Sequence, residues 1–206
     1  MANTAGDKQF LYLKSRPHGY LTETGWLNST TLNKPVDKNS TPIPWLTYPF
    51  IEFIKERLDS NYTMLEFGSG SSTIYFASKL KHTLSFEDNH EWFNIIQAKL
   101  PSNASIIYYK TLDEINSCLC AGTNQYDIVL VDSTSERDRF ADTAVAYLKK
   151  TGIIILDDTE HESFRSAVKL LTSKGFKKID FWGLAPCITY QKCTTIFYKD
   201  NNCLNI

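Results

Sequence analysis

Met64-Leu-Glu-Phe-Gly-Ser-Gly-Ser-Ser-Thr73 is the stretch that decides the fold. Residues 63–67 are β-prone and, apart from Glu66, suited to burial; they deliver the chain into the turn Gly68-Ser69-Gly70, and a helix starts at once through Ile74 and Leu80. Glycines at such a turn let the backbone pass close to a ligand where a Cβ would clash. Free N–H groups at the start of a helix favour a carboxylate or phosphate. Glu66, just before the turn, would suit a cationic ligand group or fix the loop by accepting backbone N–H bonds.

Outward from this unit the same alternation repeats. Short β-rich runs lie at 83–87, 105–109, 126–131, 152–156, 176–182 and 194–199. Helical spacing appears in Phe50, Ile51, Phe53, Ile54 and Leu58 behind Pro49, and again in Trp92, Phe93, Ile95, Ile96 and Leu100. Two further helical faces are Phe140, Ala144, Val145 and Leu148, then Phe164, Ala167, Val168 and Leu171. The central strands are apolar throughout, as expected when both faces of a sheet are covered. The pattern predicts an α/β fold, a doubly wound, parallel-centred sheet. The last two strands have no helix between them and should pair antiparallel at an edge. Residues 1–48, rich in Thr, Asn, Ser, Lys and Pro with scattered aromatics, read as an irregular arm or cap packed on the core; 49–199 read as the domain and 200–206 as a tail.

Glu87 closes the second strand about twenty residues beyond Gly68, where a carboxylate accepts hydrogen bonds from both hydroxyls of a ribose. Loop and carboxylate together predict a nucleoside-bearing cofactor. A dinucleotide-binding turn carries a third small residue, and here that place is Thr73. An acidic residue before the turn also sits poorly beside a pyrophosphate. S-adenosylmethionine has a ribose, an amino group and a carboxylate but no phosphate, and fits an acidic, Ser-rich loop better.

Glu66 to Thr73 resembles motif I of the class I S-adenosylmethionine-dependent methyltransferases, and Leu84-Ser-Phe-Glu-Asp-Asn-His-Glu-Trp92 resembles the acidic end of their second strand. Pro42-Ile-Pro-Trp-Leu-Thr-Tyr-Pro49, Phe181-Trp-Gly183 and Cys193-Thr-Thr-Ile-Phe197 are similar to stretches of a group of small bacterial methyltransferase-like proteins. The resemblance spans about residues 26–199 and implies a Rossmann-like seven-stranded sheet that binds S-adenosyl-L-methionine. It implies that Glu66, Gly68, Gly70 and Ser71, with Ser69, Ser72 and Thr73 in the same loop, surround the methionine part. It places Glu87 at the ribose and Asp88 near the adenine.

Asp132 ends the fourth strand and Asp157-Asp158 the fifth, and adjacent strand ends face one crevice. The layout is similar to that of metal-dependent O-methyltransferases, which makes Asp132, Asp157 and Asp158 alternative ligands for a divalent metal; the favoured reading has no metal, with Asp132 lining the cofactor pocket. Without a metal, Asp132 and His161 are the candidate catalytic bases. Trp45, Tyr48, Asp157 and Trp182 are candidate acceptor-binding residues, the aromatics alternatively covering the core under the arm.

The chain has 206 residues, 22 basic and 23 acidic, which gives no electrostatic case for nucleic acid or an anionic membrane. Five cysteines without a zinc-like spacing read as reduced thiols. The first residues lack the apolar core of a signal peptide, and no run approaches the roughly 20 residues that span a bilayer. The expectation is a soluble, cytoplasmic methyltransferase acting on oxygen of a small molecule or glycan, its oligomeric state open. The alternatives are a binding module that keeps the cofactor without turnover and an NAD-dependent oxidoreductase.

Overall fold

In the computed structural model, residues 4–120, 125–134 and 136–206 are described. The arm comes first and is helical rather than irregular: α1 (Ala5–Ser15), α2 (Tyr20–Glu23) and α3 (Trp26–Leu32). The reason is local. Thr4 Oγ1 accepts the Asp7 backbone N–H at 3.1 Å while Asp7 accepts the Thr4 N–H at 3.0 Å, a reciprocal cap that starts α1 despite its polar composition. The arm then doubles back through a turn closed by the antiparallel bridge between Val36 and Pro42 and reaches α4 (Tyr48–Lys55), which has Pro49 in its first turn.

Next come β1 (Thr63–Phe67), α5 (Ser71–Ala77), β2 (His82–Glu87), α6 (His90–Gln97), β3 (Ala104–Tyr108), α7 (Leu112–Cys120) and β4 (Tyr126–Val131). The remaining elements are α8 (Arg137–Tyr147), β5 (Leu148–Leu156), a 3-10 turn, α9 (Arg165–Ser173), β6 (Lys177–Gly183) and β7 (Lys192–Tyr198). The seven strands stand in the order β3-β2-β1-β4-β5-β7-β6. Strands β1 to β5 are mutually parallel, and β7 is antiparallel to both β5 and β6. The expected C-terminal hairpin is present, with its second strand inserted between β5 and its first. Helix α7 has no counterpart in the sequence reading.

Alternate residues of each central strand feed two separate cores, which is why those strands are apolar throughout. Leu65, Phe67, Val129, Val131, Ile154 and Leu156 meet α7, α8 and α9 on one face. Met64, Ile128, Leu130, Ile153 and Ile155 meet α4 and Phe76 of α5 on the other. Phe67 stacks on Phe140 of α8 with ring centroids 4.6 Å apart. The tail returns to the core: Leu204 is buried, and Tyr62 Oη donates to the Cys203 carbonyl at 2.6 Å. Cys118, Cys187, Cys193 and Cys203 are free thiols; the side chain of Cys120 lies outside the described residues. Among the described residues no helix is long and apolar enough to cross a membrane.

Candidate active site

The sheet order reverses between β1 and β4, and the ends of those strands form the crevice where open α/β sheets bind ligands. Backbone hydrogen bonds carry the ladder one residue past the strand ends. Gly68 N donates to Phe86 O at 2.9 Å, Asp132 N to Phe67 O at 2.9 Å, Tyr109 N to Glu87 O at 3.0 Å, and Asp157 N to Val131 O at 3.2 Å. The residues that carry the chemistry are therefore held by the sheet and do not hang on free loops.

The loop is fixed from behind and from the side. Behind it, Glu66 is 0% exposed. It accepts hydrogen bonds from Ser72 Oγ at 2.5 Å, from Thr73 Oγ1 at 2.5 Å and from Ser85 Oγ. Burial pushes its pKa up to about 7, against the pull of the three hydroxyls. The expected backbone N–H partners of Glu66 are thus replaced by side-chain hydroxyls, and in this arrangement the carboxylate supports the loop without reaching the cleft. Thr73 is also internal: its hydroxyl accepts from Gly70 N at 3.0 Å. At the side, Glu87 accepts from Ser69 N at 2.9 Å and Ser69 Oγ at 2.8 Å through one oxygen, and from Asn89 N at 2.9 Å through the other. Asn89 caps α6 by accepting from Trp92 N, and Trp92 Nε1 donates back to Ser69 O at 2.7 Å.

The two glycines of the turn differ in what they do. Gly68 has φ +93°, and a Cβ there would lie 2.6 Å from Asp132 O, so neighbouring backbone excludes any side chain. Gly70 is extended, and a Cβ there would meet nothing closer than 3.9 Å. Its missing side chain leaves room in the cleft, a cradle that a Cβ would fill.

The cleft has two adjoining chambers. One of about 490 Å³ is walled by Gly68, Glu87, Asp88, Asn89, Tyr109 and Thr134 together with Ser69, Trp92 and Asp132. The other, about 180 Å³, is walled by Gly70, Ser71, Ser72, Pro35 and Trp45 and shares Ser69, Trp92 and Asp132 with the first. Trp45, 38% exposed, brings the arm to the wall of the smaller chamber. Burial, then the charges of Asp88 and Glu87, raise the Tyr109 pKa and keep the phenol protonated.

Below the shared wall lies a charged cluster. Asp132, Asp157 and Asp158 do converge, with carboxylate oxygens within 4.8 Å of one another. Two cations that the sequence reading missed lie among them. Arg137 Nη2 is 3.2 Å from Asp132 Oδ1 and 2.9 Å from Asp158 Oδ2. Lys192 Nζ is 2.5 Å from Asp157 Oδ2 and 2.8 Å from Asp158 Oδ1. Burial, then the charge of Asp157, raises the Asp132 pKa well above its ordinary value, against the pull of Arg137 and Lys192. Burial also raises Asp157, whereas at Asp158 the burial effect is outweighed by Lys192 and Arg137 and the pKa falls. For Lys192, burial alone would lower the pKa, but Asp157, Asp132 and Asp158 together raise it.

Besides Glu66 and Thr73, four expected site residues stand elsewhere. Tyr48 is buried in the core beneath the arm, its ring edge-on to Tyr20 at 6.4 Å, and forms no wall of the cleft. Asp157 is fully buried, with Thr194 Oγ1 donating to it at 2.6 Å, and has no surface for an acceptor. Trp182 is 49% exposed on the edge strand β6, outside both chambers. His161 lines neither chamber: its side chain is 53% exposed, 3.6 Å from Glu160 and edge-on to Phe164, with a ring nitrogen within 4.8 Å of a carboxylate oxygen of Asp158 at the edge of the charged cluster. Each side chain follows its own packing, which position in sequence does not reveal.

No family model matches the sequence, and no curated relative does. Solved structures match the fold. An O-methyltransferase from Bacillus cereus in complex with SAH is 14% identical with a TM-score of 0.62, over 93% of this chain and 96% of that one. An O-methyltransferase from Streptomyces achromogenes involved in tomaymycin synthesis, in complex with SAM, is 14% identical with a TM-score of 0.60, over 92% and 94%. Precorrin-6y C5,15-methyltransferase from Geobacter metallireducens is 17% identical with a TM-score of 0.59, over 73% and 88%. The chain has the Rossmann-like fold of these class I methyltransferases, with the antiparallel C-terminal strands included.

Proposed function

We propose that this protein is an S-adenosylmethionine-dependent methyltransferase whose acceptor is a hydroxyl of a small molecule or glycan. The observation that carries the reading is the joined pair of chambers, with the Glu87 carboxylate in one and the open cradle of Gly70 in the other. The larger chamber, at about 490 Å³, lies in the range of sites that enclose a cofactor-sized ligand. The fold shared with methyltransferases that hold SAM or SAH agrees with it.

When bound, S-adenosylmethionine supplies a sulfonium-activated methyl group, which the acceptor oxygen takes as the electron pair of the breaking C–S bond returns to sulfur. The protein's part is to align donor and acceptor and to exclude water. In this reading Glu87 accepts from the ribose hydroxyls, Asp88 borders the adenine, and Gly70 with Ser71 and Ser72 makes room for the methionine part. Glu66 acts through Ser72 and Thr73, holding the loop. Trp45 and Trp92, which wall the smaller chamber around the methionine part, border the side from which the acceptor reaches the methyl group. Asp132 touches both chambers, and a carboxylate held above its ordinary pKa takes a hydroxyl proton more readily than a solvated one.

Isothermal titration with S-adenosylhomocysteine, with Glu87→Ala and with NAD as controls, tests the cofactor. Micromolar affinity that collapses in the variant, with no heat from NAD, is the expected result. A folded protein that ignores the homocysteine ligand would overturn the proposal. Binding without turnover across a broad panel of hydroxyl acceptors would leave a cofactor-binding module in place of an enzyme.

A further inference from the structure

The three converging carboxylates raise the question of a divalent metal, and the donor set answers it. A hard cation needs carboxylate oxygens free at about 2.0–2.6 Å. Here both oxygens of Asp158 already face cations, Arg137 Nη2 on one and Lys192 Nζ on the other. One oxygen of Asp157 faces Lys192 and the other accepts from Thr194. Asp132 Oδ1 faces Arg137. The Lys192 ammonium forms ion pairs with Asp157 and Asp158 and donates to the Trp45 carbonyl at 3.4 Å. The carboxylates do not fit a metal while these two side chains are in place.

We propose that Lys192, supported by Arg137, occupies the position of a divalent cation in this cleft and serves as a positioning residue. It fixes the carboxylates at the strand ends and ties the Trp45 wall to them. Its action on an acceptor rests on the methyltransferase reading above; its exclusion of metal does not. The fold places it there through register. Leu156 pairs with Thr195, so the residues just before Thr195 lie against Asp157 and Asp158. At the start of β7, Lys192 pairs with Gly183 at the end of β6. Lys192 itself is 7% exposed, so its charge is committed to the cluster and not to solvent.

The test is titration of the full chain with Mn²⁺ alone, following the electron paramagnetic resonance signal of the free ion. Wild type, Lys192→Met and Lys192→Arg are compared, each with a parallel titration of S-adenosylhomocysteine. Wild type and Lys192→Arg should show no Mn²⁺ binding up to about 1 mM, the weak end of protein sites for hard cations. Lys192→Met should bind at least about tenfold more tightly than that limit, and Asp158→Asn in the same background should abolish the gain. Submillimolar binding by wild type that Asp158→Asn removes would overturn the proposal. So would a folded Lys192→Met protein, judged by circular dichroism, that binds no Mn²⁺. If Lys192→Met does not fold, wild type and Lys192→Arg decide: submillimolar Mn²⁺ binding lost in Asp158→Asn overturns the inference, and its absence in both supports it. Failure of wild type to bind S-adenosylhomocysteine would remove the methyltransferase reading and leave the Mn²⁺ result standing.

Discussion

Glu66→Gln should change how stability depends on pH, by an amount the structure sets. The native carboxyl titrates at about 7 because it is enclosed, against an ordinary value of 4.5. Between those values the native state holds a proton that the unfolded chain releases. Unfolding stability therefore falls as pH rises through the window, the reverse of a salt-bridged carboxylate. Stability contributed by the neutral group is fully present below about 4.5 and is lost as pH passes about 7. A shift of about 2.5 units at 1.36 kcal/mol per unit gives a loss of about 3 kcal/mol between pH 4.5 and 8. The glutamine keeps the shape and cannot ionise, and Ser72, Thr73 and Ser85 hydroxyls can turn to accept from its amide. Any constant cost of the amide cancels when two pH values are compared. Urea denaturation of wild type and variant from pH 4.5 to 8 should show wild type losing about 3 kcal/mol relative to the variant. Parallel curves would refute the reasoning and mean that three hydroxyl donors hold Glu66 ionised in spite of its burial.

The two loop glycines should separate stability from binding. Gly68→Ala drives a Cβ to 2.6 Å from Asp132 O at φ +93° and should lower the unfolding free energy by about 2 kcal/mol or more, whereas Gly70→Ala should leave the melting temperature nearly unchanged and weaken S-adenosylhomocysteine binding by calorimetry. Trp92→Phe removes one hydrogen bond to Ser69 O and should cost roughly 1 kcal/mol of unfolding free energy, read by urea denaturation. Phe140→Ala empties the contact with Phe67 and should cost about 3–5 kcal/mol in denaturant unfolding while the cleft residues stay in register.

The sheet was legible because its central strands are apolar runs that end on Gly68, Glu87, Asp132 and Asp157, a burial pattern and a functional punctuation that coincide. The arm was not. Helix α1 buries no residue, so no apolar stripe marks it, and its start is set by the single Thr4–Asp7 exchange. Helix α7 did leave a trace, since Leu112, Ile115 and Leu119 recur at helical spacing and the last two are buried. The trace was hidden by the polar residues between them. Within the site, the glycine turn and Glu87 could be read because a short, local unit delivers both to the cleft. Tyr48 and Trp182 could not, because an aromatic residue serves a core and a pocket equally well until its neighbours are known.

The charged cluster shows where a reading along the chain stops and why. The sequence shows a final antiparallel pair but does not say which of its strands meets β5. Strand β6 runs parallel to β5, since each is antiparallel to β7. Had β6 been the neighbour, its end at Phe181-Trp182-Gly183 would border Asp157 and Asp158, and the acceptor wall would be aromatic, as the sequence reading expected. The chain instead inserts β7, and Lys192 takes that place while Trp182 moves to the outer edge. One choice of strand order thus exchanges a tryptophan for a buried ammonium at the same strand ends. It moves a hydrophobic surface out of the cleft and brings in the charge that the carboxylates of β4 and β5 would otherwise seek from a metal.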